Sequence, residues 1–510
     1  MKAIIIGSGM SGLVAAGYLV KSGWEVTIYE QYNKIGGVTA LIEKDGYKWN
    51  LGQMLIEGFG PEEPIGLVFS ELEVLDKIET IRTERAYIFP DFALYKPDKY
   101  SDIFWRREKF KELFPSDAKG IDKYYKFYIK MMEIVTLAQK AERASGLKSV
   151  LLTIRMFLKL LPLLPKKGWN SQRMMEHYFK SEKLQSIFLT ILADFVTPPT
   201  QFLGLGVPFI NPESSFDENM PLKVSKTGKQ SSYNLILGGM GSMVDALVDM
   251  IKKGNSKFQI NKPVSKIIIE DGTAKGILCE DGTKGYAELI IASGGAKEIL
   301  LDTVGEEQLP KDFVAKLKDI PLMESVFMVH LGIDFDPSPY QKLTTVYYYG
   351  IYDVDGAIKE CRAGHYHEGK DGFVMFIPTL LSPKLAPAGH HAVTVYTIAP
   401  NILNKGSWEE RKEELAEKLL IEAEKIIPGL REHTKVKVII TPDDFKKITH
   451  LKHHAFGGMA PIMGKDGVPH ETPIKNLWFI GAQSESGAGL PNIIHDTGRT
   501  MRKILKMYKK

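Results

Sequence analysis

The chain opens MKAIIIGSGMSGLVAAGYLVKSGWEVTIYEQ, and no other stretch limits its fold so tightly. Ala3 to Ile6 is short, rich in isoleucine and ended by Gly7, the pattern of a buried parallel strand. Residues from about Gly9 to Ser22 read as a helix, with Leu13, Ala16, Leu19 and Val20 on one face and Gly23 as its stop. Glu25 to Glu30 reads as a second strand. A Gly-x-Gly-x-x-Gly between strand and helix, with an acid closing the next strand, is the signature of a dinucleotide-binding turn. Gly7 permits the tight turn, Gly9 lets a pyrophosphate approach the backbone, and Gly12 lets helix and strand pack closely. Met10 and Ser11 begin the helix, whose unpaired N–H groups and positive dipole end face the phosphates. Glu30 is placed to accept hydrogen bonds from the adenosine ribose.

The motif alone does not separate NAD from FAD. The next residues do: EQYNKIGGVTA places Gly36 and Gly37 shortly after the acid, and Asn50, Gly52 and Gly58 follow closely. An NAD domain continues here with alternating strands and helices. A second glycine-rich crossing instead suits an elongated flavin, so the expected cofactor is FAD.

At 510 residues the chain is too long for one compact core, and two or more domains are expected. Lys plus Arg number 66 against 62 Asp plus Glu, a net charge of +4, which gives no case for a nucleic-acid partner. Cys279 and Cys361 are far apart, so neither a disulfide framework nor a metal site is expected, and a reducing, cytoplasmic compartment follows. No stretch of about 20 apolar residues is uninterrupted, so no membrane-spanning helix is expected.

Further along, Gly238, Gly239 and Gly241 precede an amphipathic helix, and short strands are punctuated by Asp271-Gly272 and Asp281-Gly282. Near the C-terminus, NLWFIGAQSESGAGLPNIIHDTG reads as strand, glycine-rich turn and a helix starting near Pro491. TTVYYYGIYDV, with four tyrosines, reads as a strand in a second domain.

In order and over nearly its whole length, the chain resembles the phytoene-desaturase branch of the flavin amine-oxidase-like superfamily: carotenoid desaturases, carotenoid isomerases and retinol saturases. The matching stretches are the N-terminal fingerprint, YIFPDFALYKP, ELFPSDAKGIDKYY, Gly238 to Gly241, LAPAGHH, IIPGL and TPDDF. The resemblance implies an α/β fold: a Rossmann-like FAD-binding domain of the glutathione-reductase type with an inserted α+β substrate domain. The FAD domain would be assembled from residues 1–60, 231–300 and 441–510, and the substrate domain from 61–230 and 301–440. It further implies that the Val264 backbone contacts the adenine.

Two positions depart from the family pattern. Val38 stands where Arg or Lys is common, which removes a side-chain phosphate contact. The C-terminal turn reads Gly481-Ala482 rather than Gly-Asp, so Gln483 or a backbone group has to take over the flavin's ribityl hydroxyls. Losing one such bond costs about 1 kcal/mol, roughly fivefold in affinity. Proline favours the first helical turn, so Leu490, Pro491 and Asn492 are expected to aim a helix N-terminus at the flavin ring edge where negative charge gathers on reduction.

The implied activity is oxidation, reduction or isomerisation at C–C or C=C bonds of a long apolar polyene or isoprenoid. Amine or porphyrinogen oxidation is a second reading, and a non-catalytic flavin- and lipid-binding protein a third. No acid–base pair stands out. His454, beside His453 in LKHHAFGGMAP, and Glu485 are the candidate catalytic groups near the expected flavin segments. Residues 147–165 carry long aliphatics broken by Lys148, Arg155 and Lys159. That pattern fits a helix lying on a membrane surface with snorkelling lysines, making the protein a peripheral one, and fits equally a buried amphipathic helix.

Overall fold

The computed structural model describes residues 1–451 and 458–508. Five strands form one parallel sheet, ordered Ser256–Gln259, Glu25–Tyr29, Lys2–Ile6, Leu289–Ser293 and Leu477–Ile480. The N-terminal strand runs Lys2–Ile6 and the first helix Met10–Lys21, within a residue or two of the sequence expectation. Strands buried on both faces read as continuous aliphatic runs. Ile5, Val26 and Ile28 are fully buried, each contributing about 1.5–3 kcal/mol of apolar transfer free energy. Against one face pack the helices Met10–Lys21, Gly241–Lys252 and Leu490–Tyr508, through Leu13, Val14, Leu247, Ile251, Ile494 and Met501. The other face is covered by an antiparallel meander, Val264–Glu270, Thr273–Cys279 and Lys284–Tyr286. Its first turn is the expected Asp271-Gly272, both in left-handed conformation (φ 47° and 68°), which matches the twist of a tight hairpin.

A second sheet of seven strands runs Thr434–Ile440, Ser325–Ile333, His391–Ala399, Gly372–Phe376, Thr345–Tyr349, Arg85–Phe89 and Phe92–Leu94. The tyrosine-rich stretch is its Thr345–Tyr349 strand. Helix Trp408–Glu424, started by a Ser407/Glu410 capping box, covers one face. The opposite face carries a helical layer that includes Ala118–Arg143, Ser171–Tyr178 and Glu182–Leu189. Between the sheets lies a small one of Ile56–Glu57, Tyr233–Ile236 and Thr80–Arg82, in which Glu57 pairs with Tyr233.

The stretch at 147–165 folds as the helix Gly146–Leu160 followed by a 3-10 segment, Leu161–Lys166. It lies against the Ala118–Arg143 helix, and none of the residues Gly146–Leu160 is buried. Leu147, Val150, Leu151, Ile154, Phe157, Leu158, Leu161 and Leu164 are all exposed. Their spacing makes one stripe along the helix. The stripe faces solvent, so the buried-helix alternative is ruled out. Among the described residues no helix is long and apolar enough to cross a membrane.

Candidate functional site

The site builds from the C-terminal ends of the parallel strands, where open α/β sheets leave a crevice for ligands. Gly7 leaves its strand at φ 91°, and a Cβ there would sit 2.8 Å from Ser293 Oγ. At Gly12 a Cβ would fall 2.1 Å from the Gly7 carbonyl oxygen. Gly9 is different. Its backbone is extended (φ −66°, ψ 175°) and a Cβ would meet nothing within 4 Å. The protein itself has no need of glycine there; a ligand lying on the backbone would. The first backbone bond of the helix is Leu13 N–H to Gly9 O at 2.9 Å, and no side chain caps its start. The N–H groups of Met10, Ser11 and Gly12 are therefore available to an anion.

Glu30 is buried at the end of the second strand. Its Oε2 accepts from the Ser8 N–H and hydroxyl, and its Oε1 from the Tyr32 N–H at 2.8 Å. The Glu30 carbonyl accepts from Lys262 N–H at 2.9 Å, which brings the segment leading into Val264 beside the acid. Gly36 N–H donates to the Ser8 carbonyl at 3.0 Å, and a Cβ on Gly37 would stand 3.4 Å from Gly9 Cα. The two glycine-rich crossings are thus packed backbone to backbone. Asn50 Oδ1 accepts from Met240 N–H at 2.9 Å, tying in the Gly238–Gly241 turn.

From the other end of the chain, Gly481 (φ 111°) follows the Leu477–Ile480 strand, and its Cβ direction points to Ser11 Oγ at 3.3 Å. The Ala482 carbonyl accepts from Met459 N–H. Gln483 is buried, with Oε1 accepting from Ala296 N–H at 2.8 Å, which leaves one lone pair of that oxygen and the amide N–H groups for another partner. Helix Leu490–Tyr508 begins at the expected Leu490, Pro491 and Asn492. His454, with His453, lies outside the described residues. Glu485 is exposed and accepts from the His470 backbone N–H at 3.1 Å. His470 itself is buried: its Nδ1–H donates to the Phe479 carbonyl at 2.8 Å and its Nε2 lies 2.5 Å from Asp496 Oδ2. Burial works against an imidazolium, but Asp496 and the Phe479 carbonyl outweigh it and hold His470 above its ordinary pKa.

A second constellation lies in the other sheet. A cavity is walled by Thr190, Asp194, Tyr347, Tyr349, Tyr396 and Ile398, and its exposed lining is mostly apolar. Asp194 lines this cavity and Glu57 lies on the small sheet paired with Tyr233; desolvation pushes both up to about 7 against the lowering pull of Arg85. These three charges come from IEGF, ERAYIF and LADF, more than a hundred residues apart at the extremes. For Glu57 and Asp194 the signal is a lone acid beside apolar residues; Arg85 directly follows Glu84 and carries no such signal, and nothing in the sequence says that the three meet.

The chain matches the family described as "Flavin containing amine oxidoreductase" over residues 10–489. It belongs to that family. Its cofactor is FAD, and it is an FAD-dependent oxidoreductase. Among curated relatives, prolycopene isomerase 2 of an Oncidium hybrid cultivar is 26% identical over 501 residues, covering 96% of this chain and 81% of that protein. The 4,4'-diapophytoene desaturase (4,4'-diaponeurosporene-forming) of Staphylococcus aureus MRSA252 is 21% identical, with 99% of each chain covered. Solved structures share the fold: an oxidoreductase from Methanosarcina mazei (TM-score 0.62, 19% identity, 98% of this chain and 100% of that one) and an engineered putrescine oxidase (0.63, 14%, 99% of each). The carotenoid desaturase and isomerase resemblance and the Rossmann-like fold class are in accord with these matches.

The residues present fit the cofactor. Gly9 opens on space that no side chain fills, uncapped helix N–H groups stand beside it, and a buried acid follows at the adjacent strand end. Those are the needs of a pyrophosphate and a ribose.

Proposed function

We propose that this flavoprotein acts on C–C or C=C bonds of a long apolar polyene or isoprenoid, by desaturation, saturation or isomerisation. The observation that carries the reading is the cavity between the Thr345–Tyr349, Gly372–Phe376 and His391–Ala399 strands and the 190–194 turn, whose exposed lining is chiefly hydrocarbon and aromatic ring. The printed names of the relatives support the same substrate class. When bound, FAD supplies a hydride acceptor or donor.

The chain's own residues have simpler tasks. Met10, Ser11 and Gly12 would hold the pyrophosphate, Glu30 the adenosine ribose, Gly36 and Gly37 the close crossing, and the Val264 backbone the adenine. Gly481, Ala482 and the helix start at Leu490, Pro491 and Asn492 would border the flavin. In this reading the FAD domain comprises 1–60, 231–300 and 441–510, and the substrate domain the two intervening segments. Tyr347, Tyr349 and Tyr396 exclude water from the cavity. Glu57 and Asp194, held near 7 by burial, are able to hold or release a proton around neutrality, a role for which His454 and Glu485 were the sequence candidates.

The outward stripe of Gly146–Leu160 supports docking on a membrane, the store of such substrates. Lys148, Arg155 and Lys167 are exposed cations on this segment, whereas Lys159 is paired with Glu133. The test is anaerobic mixing of the yellow holoprotein with polyenes, retinoids and amines in turn while the flavin band is followed. Bleaching by a polyene or retinoid is expected; bleaching by amines alone rejects the proposal. If nothing bleaches the flavin and chemically reduced enzyme converts no polyene, the non-catalytic reading takes its place.

A further inference from the structure

Arg85 carries a permanent charge yet is only 6% exposed. Its guanidinium carbon lies 4.9 Å from the Phe216 ring centre, 5.2 Å from that of Tyr87, and 5.5 Å from those of Tyr233 and Tyr347. Ring faces attract the cation but do not replace the hydrogen bonds its N–H groups lose on leaving water. Nε has no partner, and Nη2 reaches only the Ile210 carbonyl at 3.5 Å. Among the described residues no carboxylate stands within ion-pair distance of Arg85. Arg106, on the same Phe216 ring at 3.7 Å, makes an informative contrast: it is fully buried and its Nε and Nη2 are also unpartnered, but it has its carboxylate, Glu213 at 3.2 Å. The fold supplies a counter-charge to one guanidinium and withholds it from the other.

Two acids feel the Arg85 charge, Glu57 and Asp194. Burial leaves both close to half protonated near neutrality, so they offer O–H donors as well as negative charge. Tyr347 connects the cluster to the cavity, because its ring centre stands 5.5 Å from the Arg85 guanidinium carbon and both it and Asp194 form part of the cavity wall.

We infer that Arg85, Glu57 and Asp194 form a head-group subsite beside the apolar cavity, which takes a single carboxylate carried at one end of the polyene or isoprenoid chain. This rests on the substrate class proposed above and narrows it. A carboxylate completes the guanidinium through its fork and accepts from the protonated acids. A pure hydrocarbon leaves the buried charge uncompleted. An amine is repelled by it. A diphosphate carries more negative charge than one cation flanked by two acids can hold.

The experiment titrates the holoenzyme with all-trans-retinoic acid and with its methyl ester, reading tryptophan quenching and the shift of the flavin band. The wild type should hold the acid about tenfold or more tightly than the ester, as a charge-assisted bidentate bond requires. Arg85→Gln should bring the two together by weakening the acid alone, and Arg85→Lys should keep part of the preference. Should Arg85→Gln fail to fold, Asp194→Asn decides, because removing a competing negative charge tightens the acid and leaves the ester unchanged. Equal binding of acid and ester by the wild type overturns the subsite, as does an equal loss of both in Arg85→Gln. A hydrocarbon polyene that bleaches the flavin, with no acid preference, overturns the subsite and leaves the proposed reaction standing. Bleaching by amines alone overturns the reaction and the subsite with it.

Discussion

Glu30 Oε2 accepts two hydrogen bonds from Ser8, one from its backbone N–H at 2.8 Å and one from its hydroxyl at 2.6 Å. The acid that ends the second strand is therefore fixed by the glycine turn that ends the first. Ser8→Ala keeps the backbone bond and should cost about 1 kcal/mol, with FAD still stoichiometric. Glu30→Ala removes the ribose acceptor as well and should lose its flavin on gel filtration. Full flavin retention by Glu30→Ala would contradict the placement of the ribose.

Gly9 and Gly12 should fail in opposite ways. A Cβ added at Gly9 meets nothing within 4 Å among the described residues and the backbone angles are permitted, so Gly9→Val apoprotein should fold with a loss of about 1 kcal/mol for the poorer helix cap, yet bind no FAD. Gly12→Ala drives a methyl into the Gly7 carbonyl and should cost at least about 1–3 kcal/mol by urea unfolding. A yellow Gly9→Val protein would refute the pyrophosphate position.

The solvent-facing stripe should be separable from folding. Leu151→Glu with Leu158→Glu alters side chains that are 53% and 61% exposed, so thermal unfolding should move little. Sedimentation with anionic liposomes should fall several-fold, and wild-type binding should weaken with salt. Unchanged liposome binding by the folded double variant would end the membrane-docking proposal.

Arg106 and Glu213 are an ion pair sealed in the substrate-side core, with Tyr125 also donating to Glu213. Glu213→Ala strands a buried guanidinium and should cost about 3–5 kcal/mol. The double replacement Arg106→Met with Glu213→Leu should recover much of that loss. A double variant as unstable as Glu213→Ala would show that the pair is worth more than the desolvation it imposes.

The His470–Asp496 pair should give a pH-dependent stability. His470 sits above its ordinary pKa, so its share is complete below about 6.5 and disappears as pH rises through the folded value. For Asp496 burial is outweighed by His470 and Arg499, and its pKa is lowered, so its share is complete above about 3.9 and lost as pH falls further. His470→Gln should cost about 2 kcal/mol at pH 5.5 and clearly less at pH 9, by urea unfolding. A penalty that grows with pH would mean the imidazole is held neutral.

Much of the cofactor half was legible because its determinants are local. Gly7, Gly9 and Gly12 act on a turn only a few residues long, and Asp271-Gly272 sets its hairpin by backbone angles alone. Glu485 was singled out for its nearness in sequence to the flavin-side turn. The structure places it at the surface, bonded to the His470 backbone, while the half-buried acids Glu57 and Asp194 went unnoticed.

By itself the sequence determined the strand–turn–helix at the N-terminus, the FAD it implies and the apolar stripe of residues 147–164, because each depends on spacing within a continuous piece of chain. Only the tertiary structure decided that the stripe faces outward and that Arg85 has no carboxylate at ion-pair distance among the described residues. Periodicity gives a helix an apolar side but not a neighbour to cover it, and a buried charge's partner is chosen by whichever distant strands the packing brings beside it.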